Sequence, residues 1–121
     1  MQSLKFVVAG RVQGVFFRKH THLQAQALEL VGYVRNATNG TVVGVAQGPG
    51  SKIDAFHTWL TTTGSPKSRV DNVTTVRTSV ERTTFDSFTV DRSYFEASDE
   101  PCGGFLSPDE FSHASVVHNA H

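Results

Sequence analysis

Apolar residues alternate loosely along residues 4–12, with Leu4, Phe6, Val8 and Val12 on one side and Lys5 and Arg11 on the other. That alternation predicts a half-buried strand. From near Lys19 the period lengthens: Leu23, Ala27, Leu30 and Val31 stand at i, i+4, i+7 and i+8, one stripe of a helix. Gly32 is placed to end this helix as a C-terminal cap. Residues 33–37 and the valine-rich residues 41–46 read as a second and third strand, joined through Asn39-Gly40, a pair that favours a tight hairpin turn. Gly48-Pro49-Gly50 breaks the chain, and Ser51 with Asp54 offers a capping box for a second helix. Its buried stripe is Ile53, Phe56 and Leu60, flanked by Trp59, and Gly64 and Pro66 close it. Residues 69–80 are again extended, with Val70, Val73, Val76 and Val80, and residues 88–90 form a last short strand.

The order strand, helix, strand, strand, helix, strand predicts an α+β fold of the ferredoxin-like, split βαβ kind. It is a two-layer sandwich with an antiparallel sheet and both helices on one face. Beyond Arg92 the periodicity disappears and Ser, Asp, Glu, Pro and Gly dominate. The expected organisation is therefore one domain over residues 1–92 and an acidic, disordered tail over residues 93–121.

Composition narrows the function classes. With 121 residues, 38% hydrophobic and 18% charged, the chain can pack a core. No apolar run approaches the roughly 20 residues that cross a bilayer, and the N-terminus lacks the basic and apolar segments of a secretory signal. Together with the single cysteine, Cys102, this leads to an expectation of a cytoplasmic protein without a disulfide framework. The net charge of zero conceals an asymmetry: residues 1–92 hold 11 basic and 6 acidic side chains (+5), and residues 93–121 hold 5 acidic and none basic (−5). A mildly basic domain suits a small anionic ligand and is too weakly charged to argue for nucleic acid.

The stretch from Gly10 to Arg18, GRVQGVFFR, lies between the first strand and the first helix. A glycine-containing turn there gathers backbone N–H groups at a helix N-terminus, which favours an anion. Arg18 adds a planar guanidinium suited to paired hydrogen bonds with phosphate or carboxylate. Asn36, near the end of the second strand, offers an acceptor and two donors that can orient a water, although an Asn near a hairpin is commonly a turn residue.

Five segments in order carry a resemblance to a known family: Gly10 to Arg18, Gly32 to Asn36, Gly40-Thr41-Val42, Gln47-Gly48-Pro49 and Gly64 to Val70. Over about residues 4–92 the chain closely resembles the acylphosphatases, in spacing the animal common/muscle-type branch. The resemblance implies hydrolysis of the carboxyl–phosphate bond of acyl phosphates, without metal or other cofactor, to a carboxylate and inorganic phosphate, the latter also an inhibitor. It implies that Arg18 binds the phosphoryl group, that Asn36 orients the attacking water, and that the amides of Gly14, Val15, Phe16, Phe17 and Arg18 cradle the phosphoryl oxygens. Two departures stand out: Tyr33 replaces a tryptophan common in the family, and Phe16 fills a variable loop position that is often smaller. The expected protein is a monomer without membrane or nucleic-acid partners.

So spare a site is chemically sufficient. Phosphoryl transfer needs charge stabilisation and in-line positioning more than covalent help from the protein. A carboxylate is a weakly basic leaving group, so a general acid is dispensable. The substrate's own phosphoryl oxygen is a candidate base. His20 and His22, at i and i+2, point to different helix faces and make poor joint metal ligands. His57 reads as structural or exposed, and His113, His118 and His121 fall in the expected tail. Phe6, Phe16, Phe17, Phe56, Phe85 and Phe88 raise the alternative of a base-stacking platform, since RNA-recognition modules share this fold. The Thr41–Ala46 segment carries no aromatic residue, which speaks against it. A catalytically silent scaffold is the other alternative, opposed by the presence of both Arg18 and Asn36.

Overall fold

The alternation of residues 4–8 is realised in strand β1 (Gln2–Arg11), in a computed structural model that describes residues 1–119. There follow α1 (Phe17–Ala27), β2 (Val31–Asn36), β3 (Val42–Gly48), α2 (Gly50–Thr62), β4 (Arg69–Ser79) and β5 (Phe88–Val90). A short 3-10 turn (Pro101–Gly104), α3 (Pro108–Ser112) and β6 (Ser115–His118) complete the chain. The sheet order is β5-β2-β3-β1-β4-β6. Its centre is antiparallel as expected, but β5 pairs parallel to β2, so the sheet as a whole is mixed.

One sheet face carries the main core. Leu4, Phe6 and Val8 of β1 pack there with Val34, Val42, Ala46, Val70 and Val73 beneath Phe17 and Ala25 of α1 and Ile53, Phe56 and Leu60 of α2. Each such large side chain contributes about 1.5–3 kcal/mol on burial. The stripe predicted for α2 is the buried one, and Trp59 flanks it. Val70 and Val73 share a face despite their odd spacing because the β1–β4 register shifts at Ala9/Gly10, while Val76 points to the opposite face.

Three local expectations are corrected. The inner face of α1 is Phe17, Thr21 and Ala25, and Leu23 stands 51% exposed. The helix begins earlier than Lys19, at a phenylalanine large enough to set its rotation. Small Thr21 and Ala25 then let it lie close to the sheet, the Thr21 hydroxyl donating to the Phe17 carbonyl at 2.8 Å. Gly32 does not cap α1. The helix ends through Glu29 in the left-handed region (φ 59°), with Leu30 N–H donating to the Ala25 carbonyl. Gly32 sits inside β2 because a Cβ there would lie 1.9 Å from the Val45 carbonyl oxygen. The Ser51/Asp54 capping box is absent: Pro49 precedes α2 without a side-chain cap, and Asp54 pairs with Arg77 at 2.6 Å instead.

Residues 93–118, expected as a disordered tail, instead cover the other face of the sheet. Leu106, with Phe95, Cys102, Phe105 and Ala114 against it, packs on Val7, Ala37, Val43 and Val76. Strand β6 pairs antiparallel with β4, from Asn72↔His118 to Thr75↔Ser115. Ser107 and Glu110 form a capping box on α3, and Lys5 reaches Glu110 at 2.9 Å. A sheet with valines on both faces needs cover on both. The apolar residues of this segment meet that need singly, without helical or strand period. His121 lies outside the described residues.

Candidate active site

Strand order positions the glycine loop and Asn36 together. β1 and β2 are both antiparallel to β3, so their C-terminal ends lie at the same end of the sheet. Val8 and Asn36 both pair with Val42, which sets them level, two strands apart. Alternation along β2 then puts Asn36 on the face of Val34, the face that α1 covers.

The loop between β1 and α1 is fixed from both sides. Gln13 Nε2 donates to the Ala37 carbonyl at 2.8 Å and to the Thr41 carbonyl at 2.9 Å, across the β2–β3 turn. From the α2–β4 connection, the buried Ser65 hydroxyl donates to the Val15 carbonyl at 3.0 Å. Gly10 has φ 131°, and a Cβ there would come within 2.1 Å of the Arg69 carbonyl oxygen, so the close β1–β4 approach requires glycine. Gly14 (φ 75°) and Phe16 (φ 60°, ψ 25°) turn the chain into α1, whose first turn has no side-chain cap. The left-handed conformation costs a bulky L-residue roughly 1–2 kcal/mol. Val15 and Phe17 are buried and anchor the loop, Phe17 against Trp59 at 5.8 Å between ring centroids.

A cleft of about 580 Å³ opens at this junction, bordered by Gly14, Phe16, Phe17, Arg18 and Asn36 among the predicted residues. Val15, the remaining predicted residue, is buried and does not line the cleft. Asn36 is 4% exposed and its Oδ1 has no hydrogen-bond partner among the described residues. A buried acceptor left unpaired costs about 1–3 kcal/mol, and such groups mark places where a ligand or water is received. Among the described residues no carboxylate borders the cleft, whereas Arg18, Lys19 and Arg92 do, so its charge favours an anion.

Lys19, His22, Val90 and Arg92 were not among the site residues expected from sequence. The helical turn after Arg18 places Lys19 and His22 there, His22 stacking on Phe88 at 6.1 Å. Val90 and Arg92 arrive through the parallel β2–β5 pair, which no local pattern announces. His57 lies on α2, away from the cleft, and burial pushes its imidazole below the ordinary value, with Arg77 adding to the shift. Among the described residues no group of three or more His, Cys, Asp or Glu is arranged to hold a metal. Nor is any helix long and apolar enough to cross a membrane. A second cleft of about 520 Å³, by the end of α2 and Asn119, touches none of the expected site residues.

The family model described as Acylphosphatase matches residues 4–90. Acylphosphatase-1 of Gallus gallus is 51% identical over 70 residues, 58% of this chain and 71% of that protein. Acylphosphatase-1 of Homo sapiens is 52% identical over 69 residues, 57% of this chain and 70% of that protein. Among solved structures, the acylphosphatase from Bacillus subtilis is similar with a TM-score of 0.70 and 32% identity, over 75% of this chain and 99% of that one.

Proposed function

We propose, from the premise that this chain belongs to the acylphosphatase family and hydrolyses acyl phosphates, that Arg18 and Asn36 carry the reaction in the cleft at the head of α1. Arg18 and the amides of Gly14, Val15, Phe16, Phe17 and Arg18 hold the phosphoryl oxygens and stabilise the charge that develops on them. Asn36 orients the attacking water. The water oxygen bonds to phosphorus as the bond from phosphorus to the acyl oxygen breaks. The carboxylate leaves with the electron pair, and the water's protons end on the phosphate product. Because the leaving group is weakly basic, none of these steps requires an acid from the protein. The observation that carries the reading is that Asn36, its buried Oδ1 without a hydrogen-bond partner among the described residues, borders the same cleft as Arg18.

In this reading the enzyme is metal-independent, inorganic phosphate is both product and competitive inhibitor, and the protein acts as a cytoplasmic monomer without nucleic-acid or membrane partners. Hydrolysis of benzoyl phosphate with excess chelator tests the site. Turnover indifferent to chelator and largely lost in both Arg18→Ala and Asn36→Ala is expected. Full activity in either variant would remove that residue from the mechanism, and inactivation by chelator would remove metal independence. Size-exclusion chromatography with light scattering tests the monomer.

A further inference from the structure

We propose that Phe16 sets acyl-group specificity, its ring forming an apolar lip on the cleft that favours substrates with aromatic or bulky apolar acyl groups. The inference rests on the placement of the phosphoryl group at Arg18 given above.

Phe16 is unusual in two independent respects. Its backbone is left-handed, a conformation that disfavours bulky side chains. The residue is 71% exposed, the highest value among the large hydrophobic residues described, and its ring has no aromatic partner among them. Phe17, its neighbour, is 1% exposed and packed on Trp59. Neither local conformation nor core packing therefore accounts for phenylalanine at position 16, and an outlier of this kind at a binding cleft points to a ligand.

The ring is also presented on a held support, since Gln13 and Ser65 tie down the loop just before it and the buried Phe17 anchors the chain just after it. A phosphoryl group at Arg18 fills only part of a cleft of about 580 Å³. In-line displacement requires the acyl group to leave from the side of phosphorus opposite the water. The acyl group therefore projects out of the cradle. Phe16 is the large apolar side chain bordering the cleft that stands in solvent, and Val90 extends the apolar wall. Contact with an aromatic acyl group removes apolar surface of both from water and allows ring–ring packing, an effect of about three- to tenfold in affinity.

The test compares kcat/KM for benzoyl phosphate and acetyl phosphate in the full chain and in Phe16→Ala, Phe16→Leu and Phe16→Tyr. Comparing the benzoyl/acetyl ratio between variants cancels the intrinsic reactivity of the two substrates. The ratio is expected to fall about three- to tenfold in Phe16→Ala, to fall less in Phe16→Leu and to be kept in Phe16→Tyr. A ratio in Phe16→Ala equal to that of the parent chain overturns the proposal. Should Phe16→Ala fail to fold, an unchanged ratio in Phe16→Leu does the same. Inhibition by inorganic phosphate, measured alongside, reports on the cradle alone. Loss of that inhibition from Arg18→Ala supports the underlying placement, and its persistence there overturns the placement whatever the ratio does.

Discussion

Arg18 closes a loop and Asn36 closes a strand, and in the proposed mechanism the two act on different partners, so their removal should leave different kinetic traces. In that mechanism Arg18, which borders the cleft, is the fixed cation that meets phosphate in substrate, transition state and product alike. Arg18→Ala is expected to lower kcat/KM by about 10²–10³-fold and to abolish competitive inhibition by phosphate. A phosphate inhibition constant like the parent's would rule out this role. Asn36, in the same proposal, meets only the water. Asn36→Ala is expected to lower kcat by about 10²-fold while phosphate still inhibits, because misplacing a nucleophile costs rate rather than ground-state binding. The same substitution removes a buried acceptor that has no partner among the described residues. The melting temperature of Asn36→Ala should therefore not fall, in contrast to most substitutions at a buried site. A drop of several degrees would show that the asparagine is held for stability instead.

At the scale of elements, the segment after Arg92 behaves as a third layer. Leu106 is 2% exposed against Val7, Val43 and Val76, and Leu106→Ala is expected to cost about 2–5 kcal/mol. By thermal unfolding that is a fall of at least about 8 °C. Phe95 ties the layer to the residue proposed to orient the water: its N–H donates to the Asn36 carbonyl at 2.8 Å, and its carbonyl accepts from Thr38 N–H at 2.9 Å. Deleting residues 93–121 should lower both the melting temperature and kcat and leave phosphate inhibition in place. The layer should also loosen in acid. Hydrogen bonding from the Ser107 backbone, and then from Lys5, holds the Glu110 carboxyl below its ordinary value of 4.5. A carboxyl with a depressed folded-state pKa stabilises fully above its unfolded value and loses that contribution as pH falls through the folded one. The full chain should therefore lose thermal stability below about pH 4.5, and Glu110→Gln should show a shallower loss over that range.

This layer also marks where the sequence stops being legible. The glycine loop and the α2 stripe depend on neighbours within a few residues, so their patterns show in the chain. Val90 and Arg92 reach the cleft through a parallel pair between strands more than fifty positions apart. Leu106 and Phe105 have meaning only once a second apolar sheet face exists for them to cover. The rotation of α1 is hidden from the pattern for a related reason: Leu23 and Ala27 fit a helical period, but Phe17 decides which face turns inward.

At the scale of the whole molecule, the sheet divides the structure into two apolar layers of unequal size, and each holds one natural probe. The single tryptophan, Trp59, packs against the core beneath α1 and α2, while the single cysteine, Cys102, lies in the layer formed by the C-terminal segment. Burial pushes the Cys102 thiol up, so labelling in the folded protein is slowed both by access and by the small thiolate fraction. The helix-side cluster draws on most strands and both long helices, whereas the opposite layer rests on a few side chains, the edge strand β6 and the Lys5–Glu110 pair. Free energies of local opening follow such differences in buried apolar contact. In a urea titration at constant pH, Cys102 should therefore become reactive to a thiol reagent at lower denaturant than that at which Trp59 fluorescence changes, with a smaller m-value for the first event. Benzoyl phosphate hydrolysis in the intermediate range should be reduced but present, since the proposed phosphate cradle lies outside the layer that opens. Coincident transitions for thiol, fluorescence and activity would instead mean that the C-terminal segment and the sheet fold as one cooperative unit.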